Sequence, residues 1–383
     1  MDALQFPQPA NAQSVESLRH EVRAFLGETL GGRDNNRRSY SYLGEFDPEF
    51  SAALGRRGWI GMGIPRRYGG RECGIHERYV IFEELLAARA PLYAHAIAER
   101  QSAPLLLRYG TERQREDILP RIVNGTCYFC IGMSEADSGS DLASVRTRAD
   151  KVDGGFLING AKIWTSSAHR AHYMILLCRT SPRSENRHEG LSQILIDMSS
   201  PGITCRPIIN MANEYDFNEV HFNDVFVADD MVIGKVGEGW LQVTSELAFE
   251  RSGPERYLSA LGLVEELADL LMRSPLPEGH KALGAISANL YVLRRLSRSV
   301  ATMLDQGAEP ALQAALLKDL GTSFEKKIPE MIRLVASAEP DSSSADPYVA
   351  ALANVLVRAP SCTIRGGTTE VLRSMIARGL GLR

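Results

Sequence analysis

The sequence predicts an α+β multidomain fold. An N-terminal helical domain is expected over 1–125, a central β domain of sandwich or barrel type over 126–238, and a C-terminal four-helix-bundle domain over 239–383. Three observations carry that expectation. Apolar residues recur at helical spacing before about residue 125, short branched and alternating segments separated by turns fill 126–230, and helical periodicity returns from Trp240 onward.

In the first region Val15, Leu18, Val22, Phe25 and Leu26 lie on one helical stripe, and Tyr79 to Leu86 makes a second apolar segment. Pro65 with Gly69 and Gly70 marks a loop between helices. In the middle region Val145, Thr147 and Ala149 alternate as a strand does, and Asp153-Gly154-Gly155 turns that strand into the next. Met174 to Leu177, Gln193 to Ile196 and Glu219 to Val227 read as further strands. Gly234, Gly237 and Gly239 form a turn before a helix and not a dinucleotide motif. The last helical region is broken by the polar stretch Asp341 to Asp346.

Composition narrows the function classes. With 383 residues, 44% hydrophobic and 23% charged, the chain has room for two or three domains with real cores. A net charge of −4 and a pI near 6.1 leave no electrostatic footprint for nucleic acid. No apolar run approaches the roughly 20 residues that span a bilayer, so no membrane partner is expected. Residues 1–13 lack the basic and apolar regions of a signal peptide, and Gly379 to Arg383 is not a peroxisomal address, so a cytoplasmic location is expected. Cys127 and Cys130 form a C-x-x-C with no second pair at metal-site spacing, and His169 and His172 have no acid or thiol cluster beside them. No metal site is expected.

The stretch most suggestive of chemistry runs from Cys130 through Ile131-Gly132-Met133-Ser134-Glu135-Ala136-Asp137-Ser138-Gly139-Ser140 to Asp141. A loop of small residues lets a planar ring or a phosphate approach the backbone. Downstream, Trp164-Thr165-Ser166-Ser167 sets a flat apolar wall beside hydrogen-bond donors. Read alone, these residues give a ligand-cradling hairpin region or an ordinary hairpin with serine turns. Their order and spacing resemble the flavin-binding signature of the acyl-CoA dehydrogenase family. Similar matches are Ile64 to Gly70, Tyr109-Gly110-Thr111-Glu112, Leu119-Pro120 before Gly125, and Phe217 to Val220, so the resemblance covers nearly the whole chain.

The resemblance implies FAD and an acyl-CoA thioester. In that family a glutamate takes the α-proton while the flavin accepts the β-hydride. It implies that Ile131, Met133, Ser134, Gly139, Ser140, Trp164, Thr165 and Ser166 line the flavin, with Ser140 also reaching phosphate or CoA. Most relatives carry their base in a tyrosine–glutamate–glycine–threonine motif near the C-terminus. Here the matching residues are Arg365-Gly366-Gly367-Thr368, so glycine stands at the usual base position. A minority carry the glutamate on an earlier helix directly before an arginine, which corresponds to Glu250 and Arg251. Trp240, Val243, Leu247 and Glu250 fall on one helical face, and Pro254 should loosen or kink the helix there. A helix-surface acid is the plainer reading of Glu250, and Glu255 beside Arg256 is the alternative base. Gly366 keeps a backbone amide for the thioester carbonyl. Gly367 and Thr368 open a helix whose N-terminus suits a flavin phosphate, or they form a Gly-Gly turn with a threonine cap. Arg251 and Arg378 match arginines of the CoA region.

Between about 270 and 355 the match is poor. The family's arginine–x–phenylalanine–glycine motif, through which a neighbouring subunit grips the flavin pyrophosphate, is replaced by Leu271 to Pro277 and Gly279-His280. Two leading readings follow, beside a third in which the same scaffold runs a different flavin reaction, such as oxidation with molecular oxygen or monooxygenation. One is an active dehydrogenase that passes electrons to an electron-transfer flavoprotein, as a dimer or tetramer. The other is a subunit of a heteromeric dehydrogenase with an incomplete FAD site, needing a homologous partner.

Overall fold

A computed structural model of the chain describes residues 4–8, 13–31, 39–41 and 43–382, the side chains of 13–14 and 246–250 excepted. In chain order its helices are α1 (Gln13–Leu30), α2 (Pro48–Arg56), α3 (Ile75–Ala87), α4 (Ala103–Tyr109), α5 (Glu112–Val123), α6 (Gly239–Glu250), α7 (Leu261–Arg273), α8 (Pro277–Asp305), α9 (Ala311–Val335), α10 (Pro347–Arg358) and α11 (Thr369–Gly379). Its strands are β1 (Phe129–Gly132), β2 (Arg148–Val152), β3 (Gly155–Ser166), β4 (Tyr173–Arg179), β5 (Leu191–Asp197), β6 (Ile203–Ile208), β7 (Phe217–Ala228) and β8 (Val232–Ile233). The order is helices, then strands, then helices. Contacts divide the chain into two compact units, one of Met1–Phe46, Cys73–Tyr93 and Ala248–Arg383, the other of Asp47–Glu72 and Ala94–Leu247.

The first unit is helical. Leu263, Leu267 and Leu271 recur every four residues on α7, so they share one face. That face meets Ile286 of α8, Ile328 and Ile332 of α9, and Leu352 and Val355 of α10 in one buried cluster. Four helices thus enclose one core. On α1 the residues Val15, Val22, Phe25 and Leu26 are buried, as their spacing predicts. Arg19, on the same helix, is buried between Glu83 and Glu84 of α3, and Arg294 of α8 holds Glu83 through two hydrogen bonds of 2.7 and 2.8 Å.

The second unit carries every described strand. Its sheet runs β6-β7-β3-β2-β4-β5-β8, with β1 parallel to β4. Side chains at every second position of β4 (Met174, Leu176, Cys178) join Ile194 and Ile196 of β5, Phe156 and Ile158 of β3, and Val220 and Phe222 of β7 in one core. Strands from both ends of the order supply that core, so the sheet folds around it as a sandwich or barrel does. On the opposite face of β4, Leu177 packs with Val145, Leu191 and Val243, and with the partly buried Met133, Leu142 and Trp240.

Two local expectations change. Val145 and Thr147 are buried but lie outside the strand, which begins at Arg148. The amides of Arg146 and Thr147 donate to the Glu135 carboxylate at 2.6 and 2.9 Å, so a side chain takes the place of a ladder partner. The hairpin itself closes as expected, through Asp153 and Gly154, whose φ of 73° needs glycine. Second, α6 does not kink through Pro254. It stops at Glu250, and a separate 3-10 turn begins at Pro254, because a ring without an N–H cannot continue the helix.

Candidate functional site

In the strand-bearing unit the candidate residues gather at the ends of β1 and β3. After β1 the chain enters the loop Met133–Asp141, pinned from below by Lys162 of β3. The Lys162 side chain is fully buried, and its Nζ donates to the Met133 carbonyl at 2.9 Å and to Glu135 Oε1 at 2.8 Å. Burial alone would raise the Glu135 pKa. The Lys162 charge and hydrogen bond, with the Arg146 and Thr147 groups, instead hold it below the usual carboxylate range. Burial lowers Lys162, and Glu135 offsets part of that. The pair sits at the root of the loop and leaves its crest open. Gly139 and Ser140 are exposed, and a Cβ placed on Gly139 would meet no atom within 4 Å.

Strand β3 ends in an irregular turn of register. Its pairing with β7 shifts between Lys162 and Thr165, and within that bulge Trp164 adopts a left-handed φ of 59°. A bulky aromatic side chain at positive φ costs about 1 kcal/mol or more. The bulge turns the indole outward, 58% exposed, with Phe217 edge-on at 6.1 Å. Ser166 is partly exposed on the same side, whereas Thr165 is fully buried and its hydroxyl finds no hydrogen-bond partner. The Ile163 amide donates to the Ser134 carbonyl at 2.9 Å, which ties the two segments together. Behind them Asn218 donates to the Thr165 carbonyl at 3.1 Å and accepts from Tyr215, whose ring stacks on His169 at 4.0 Å. An exposed indole, an open small-residue loop and adjacent hydroxyls fit a large planar heterocycle better than a small polar ligand.

In the helical unit the Arg365–Thr368 segment is the second candidate element. Gly366 and Gly367 have φ of 66° and 99°, and Thr368 caps α11 by accepting from the Val371 amide at 3.4 Å. Arg251 is buried, with Nε 3.5 Å from the Gly366 carbonyl and Nη1 3.4 Å from the Met375 sulfur. Lys318 of α9, fully buried, donates to the Gly367 carbonyl at 2.7 Å. Arg378 is exposed and donates to the Ser374 carbonyl. Glu255 is fully buried with Arg256 Nε at 3.3 Å. The side chain of Glu250 lies outside the described residues.

Ile131, Met133, Ser134, Gly139 and Ser140 thus lie on β1 and the loop after it, and Trp164 and Ser166 on the end of β3 that the Ile163–Ser134 bond ties to that loop, while the Thr165 side chain is buried. Arg251, Gly366, Gly367 and Thr368 come together in the other unit. Lys162 and Lys318 went unassigned in the sequence reading. For Lys162 the signal was a lysine at an inward register of an apolar strand, while Lys318 carries no local signal of burial. Both Cys127 and Cys130 are buried free thiols with pKa values raised by burial. Among the described residues no group of three or more His, Cys, Asp or Glu could hold a metal, and no helix is long and apolar enough to cross a membrane.

Comparison with known proteins identifies the family. The acyl-CoA dehydrogenase N-terminal domain matches residues 13–126, and the acyl-CoA dehydrogenase middle domain matches 130–225. Acyl-CoA dehydrogenase IpdE1 of Mycobacterium tuberculosis (strain ATCC 25618 / H37Rv) is 32% identical over 385 residues, covering 97% of this chain and 98% of that protein. Among solved structures, the Tcur3481-Tcur3483 steroid ACAD superposes with a TM-score of 0.87 at 29% identity, covering 97% of this chain and 98% of that one. The ChsE4-ChsE5 complex from Mycobacterium tuberculosis gives a TM-score of 0.83 at 26% identity, covering 98% and 99%.

Proposed function

The chain belongs to the acyl-CoA dehydrogenase family and is an oxidoreductase acting on CH–CH groups, and from that premise we propose that it dehydrogenates a bulky acyl-CoA thioester with Glu250 as its base and FAD as its cofactor. The observation that carries the reading is glycine at 366. The usual base position has no side chain, while an acid followed by arginine ends α6 at 250.

In this account Ser134, Trp164 and Ser166 would hold the flavin ring, and in the helical unit Gly367 and Thr368 with the start of α11 offer a place for a phosphate group. When bound, the flavin supplies the two-electron acceptor for the hydride leaving the β carbon. Glu250 removes the α-proton and keeps it. The Gly366 amide donates to the thioester carbonyl, where negative charge grows as the proton leaves. Arg251, tied to the Gly366 carbonyl, steadies the residue that bears that amide and carries positive charge toward the CoA end. The acyl group is cyclic or branched, and steroid-derived thioesters are the first to try, because the structurally similar Tcur3481-Tcur3483 protein is a steroid ACAD. An electron-transfer flavoprotein is the proposed acceptor.

A second reading has its own support. The subunit-donated pyrophosphate motif is missing between Leu271 and His280, where α7 simply ends and α8 begins after a short link. Two structural neighbours, ChsE4-ChsE5 and Tcur3481-Tcur3483, are built from two named components. The chain would then be one subunit of a heteromeric dehydrogenase whose homologous partner completes the FAD site. The visible spectrum of the chain, purified alone and with a co-encoded homologue, followed by anaerobic addition of acyl-CoAs, tests both. A yellow protein bleached by one ester supports the self-sufficient enzyme. Colour and bleaching only with the homologue support the second reading, and neither in either preparation contradicts both.

A further inference from the structure

We propose that Lys318 and Glu325 of α9 are positioning residues that hold the Arg365–Gly367 segment and the turn after Glu250 in one register; the catalytic meaning of that register rests on the functional reading above. Lys318, Gly321, Thr322 and Glu325 fall on one face of α9, and all four are buried. Such a stripe stands out on a helix whose other buried positions include Ala314, Ala315, Leu317, Ile328 and Ile332. A lysine and a glutamate taken out of water are costly unless something specific uses them.

Three of the four touch the Arg365–Gly367 segment or the chain that follows Glu250. Lys318 Nζ donates to the Gly367 carbonyl at 2.7 Å. Glu325 Oε1 accepts from the Ser259 amide at 2.6 Å, and its other oxygen stands 3.9 Å from Arg365 Nη2, which itself donates to the Ser259 hydroxyl at 3.3 Å. A Cβ at Gly321 would meet the Arg256 carbonyl at 2.5 Å, so only glycine lets the Pro254–Arg256 turn lie this close to α9. Thr322 turns its hydroxyl back to the Lys318 carbonyl at 2.7 Å and leaves the stripe free of a competing donor. Arg251 closes the arrangement by reaching the Gly366 carbonyl from the chain next to Glu250. The carbonyls of Gly366 and Gly367 are thus both taken by buried cations. Two glycines at positive φ, which would otherwise sample many conformers, are held in one. A base and an oxyanion donor must keep a fixed separation to act on adjacent atoms. One face of one helix sets both.

The test uses the full chain, with its homologous subunit where the two co-purify, and compares Lys318→Met, Lys318→Arg and Glu325→Gln by hydrogen–deuterium exchange and by anaerobic flavin reduction. Lys318→Met should raise amide exchange in the peptide covering 359–372 by about tenfold and leave peptides over 148–166 unchanged. Flavin reduction should fall by about 100-fold while the acyl-CoA Kd shifts less than about threefold, with partial recovery in Lys318→Arg. Glu325→Gln, the milder change, should move exchange in the same peptide and in the one covering 254–260. Unchanged exchange at 359–372 in both Lys318→Met and Glu325→Gln would overturn the proposal. So would activity that falls only in step with melting temperature. If no acyl-CoA reduces the wild-type flavin, the functional reading fails while the exchange result still decides the positioning role.

Discussion

Lys162 buries its ammonium 2.8 Å from the Glu135 carboxylate at the root of the Met133–Asp141 loop. Both charges lie out of bulk water, so each depends on the other. Removing one leaves an uncompensated charge, a loss of about 3 kcal/mol or more. Lys162→Met and Glu135→Gln should therefore each lower stability by that order and expose the 133–147 segment to protease. Bound FAD should be lost more readily than fold, and fluorescence titration of the apoprotein measures that difference.

The same pair sets an acid limit. The Glu135 pKa lies below the unfolded carboxylate value of about 4.3. A depressed carboxyl contributes stability that is complete above the unfolded value and lost as pH falls through the folded one. The wild type should lose this contribution below about pH 4, and Glu135→Gln should show no such step. Chemical denaturation at pH 6, 5, 4 and 3 reads the contrast.

His95 adds a second pH dependence at higher pH. It is buried beside Ser51, with Nδ1 2.7 Å from the hydroxyl, and burial lowers its pKa to about 3. An unfolded histidine titrates near 6.5. Stability from the neutral ring is therefore whole above about 6.5 and falls by about 1.4 kcal/mol per pH unit below it, until the folded value is reached. His95→Gln should be less stable at pH 8 yet have a flatter profile between pH 6 and 4. An unchanged slope in that window would mean the ring charges without cost.

Gly367 has a φ of 99°, and a Cβ there would meet Arg251 Nη2 at 3.4 Å. Contact alone is tolerable; the backbone conformation is not. Gly367→Ala should cost about 1–2 kcal/mol and disturb the proposed amide at Gly366 more than it disturbs α11, which keeps its Thr368 cap. Flavin reduction should fall while helix content holds.

Much of the fold was legible because its signals are repetitive. The stretches Met174–Leu177 and Gln193–Ile196 lie within β4 and β5, where alternate residues feed the core. The α1 stripe follows the 3.6 period, and the Gly234–Gly239 turn stops where α6 starts. Less was legible where a side chain overrides a periodic signal. Val145 and Thr147 alternate like a strand, but Glu135 captures the amides of residues 146 and 147 from eleven positions upstream or more. The bulge that turns Trp164 outward depends on the β7 register, which no local pattern reveals. Lys318 and Glu325 look like ordinary helix-surface charges until the folded chain brings residues 259 and 365–367 against them.

The central claim is that Glu250 has taken over the base role that Gly366 cannot fill, and the rate of anaerobic flavin reduction by acyl-CoA in Glu250→Gln and Glu255→Gln tests it most directly. The account predicts that Glu250→Gln binds flavin and thioester normally and reduces the flavin at least about 1,000-fold more slowly. Glu255→Gln, altering a buried acid paired with Arg256, should lose stability yet keep most of its rate. Normal reduction in Glu250→Gln, with the loss found in Glu255→Gln instead, would contradict the account.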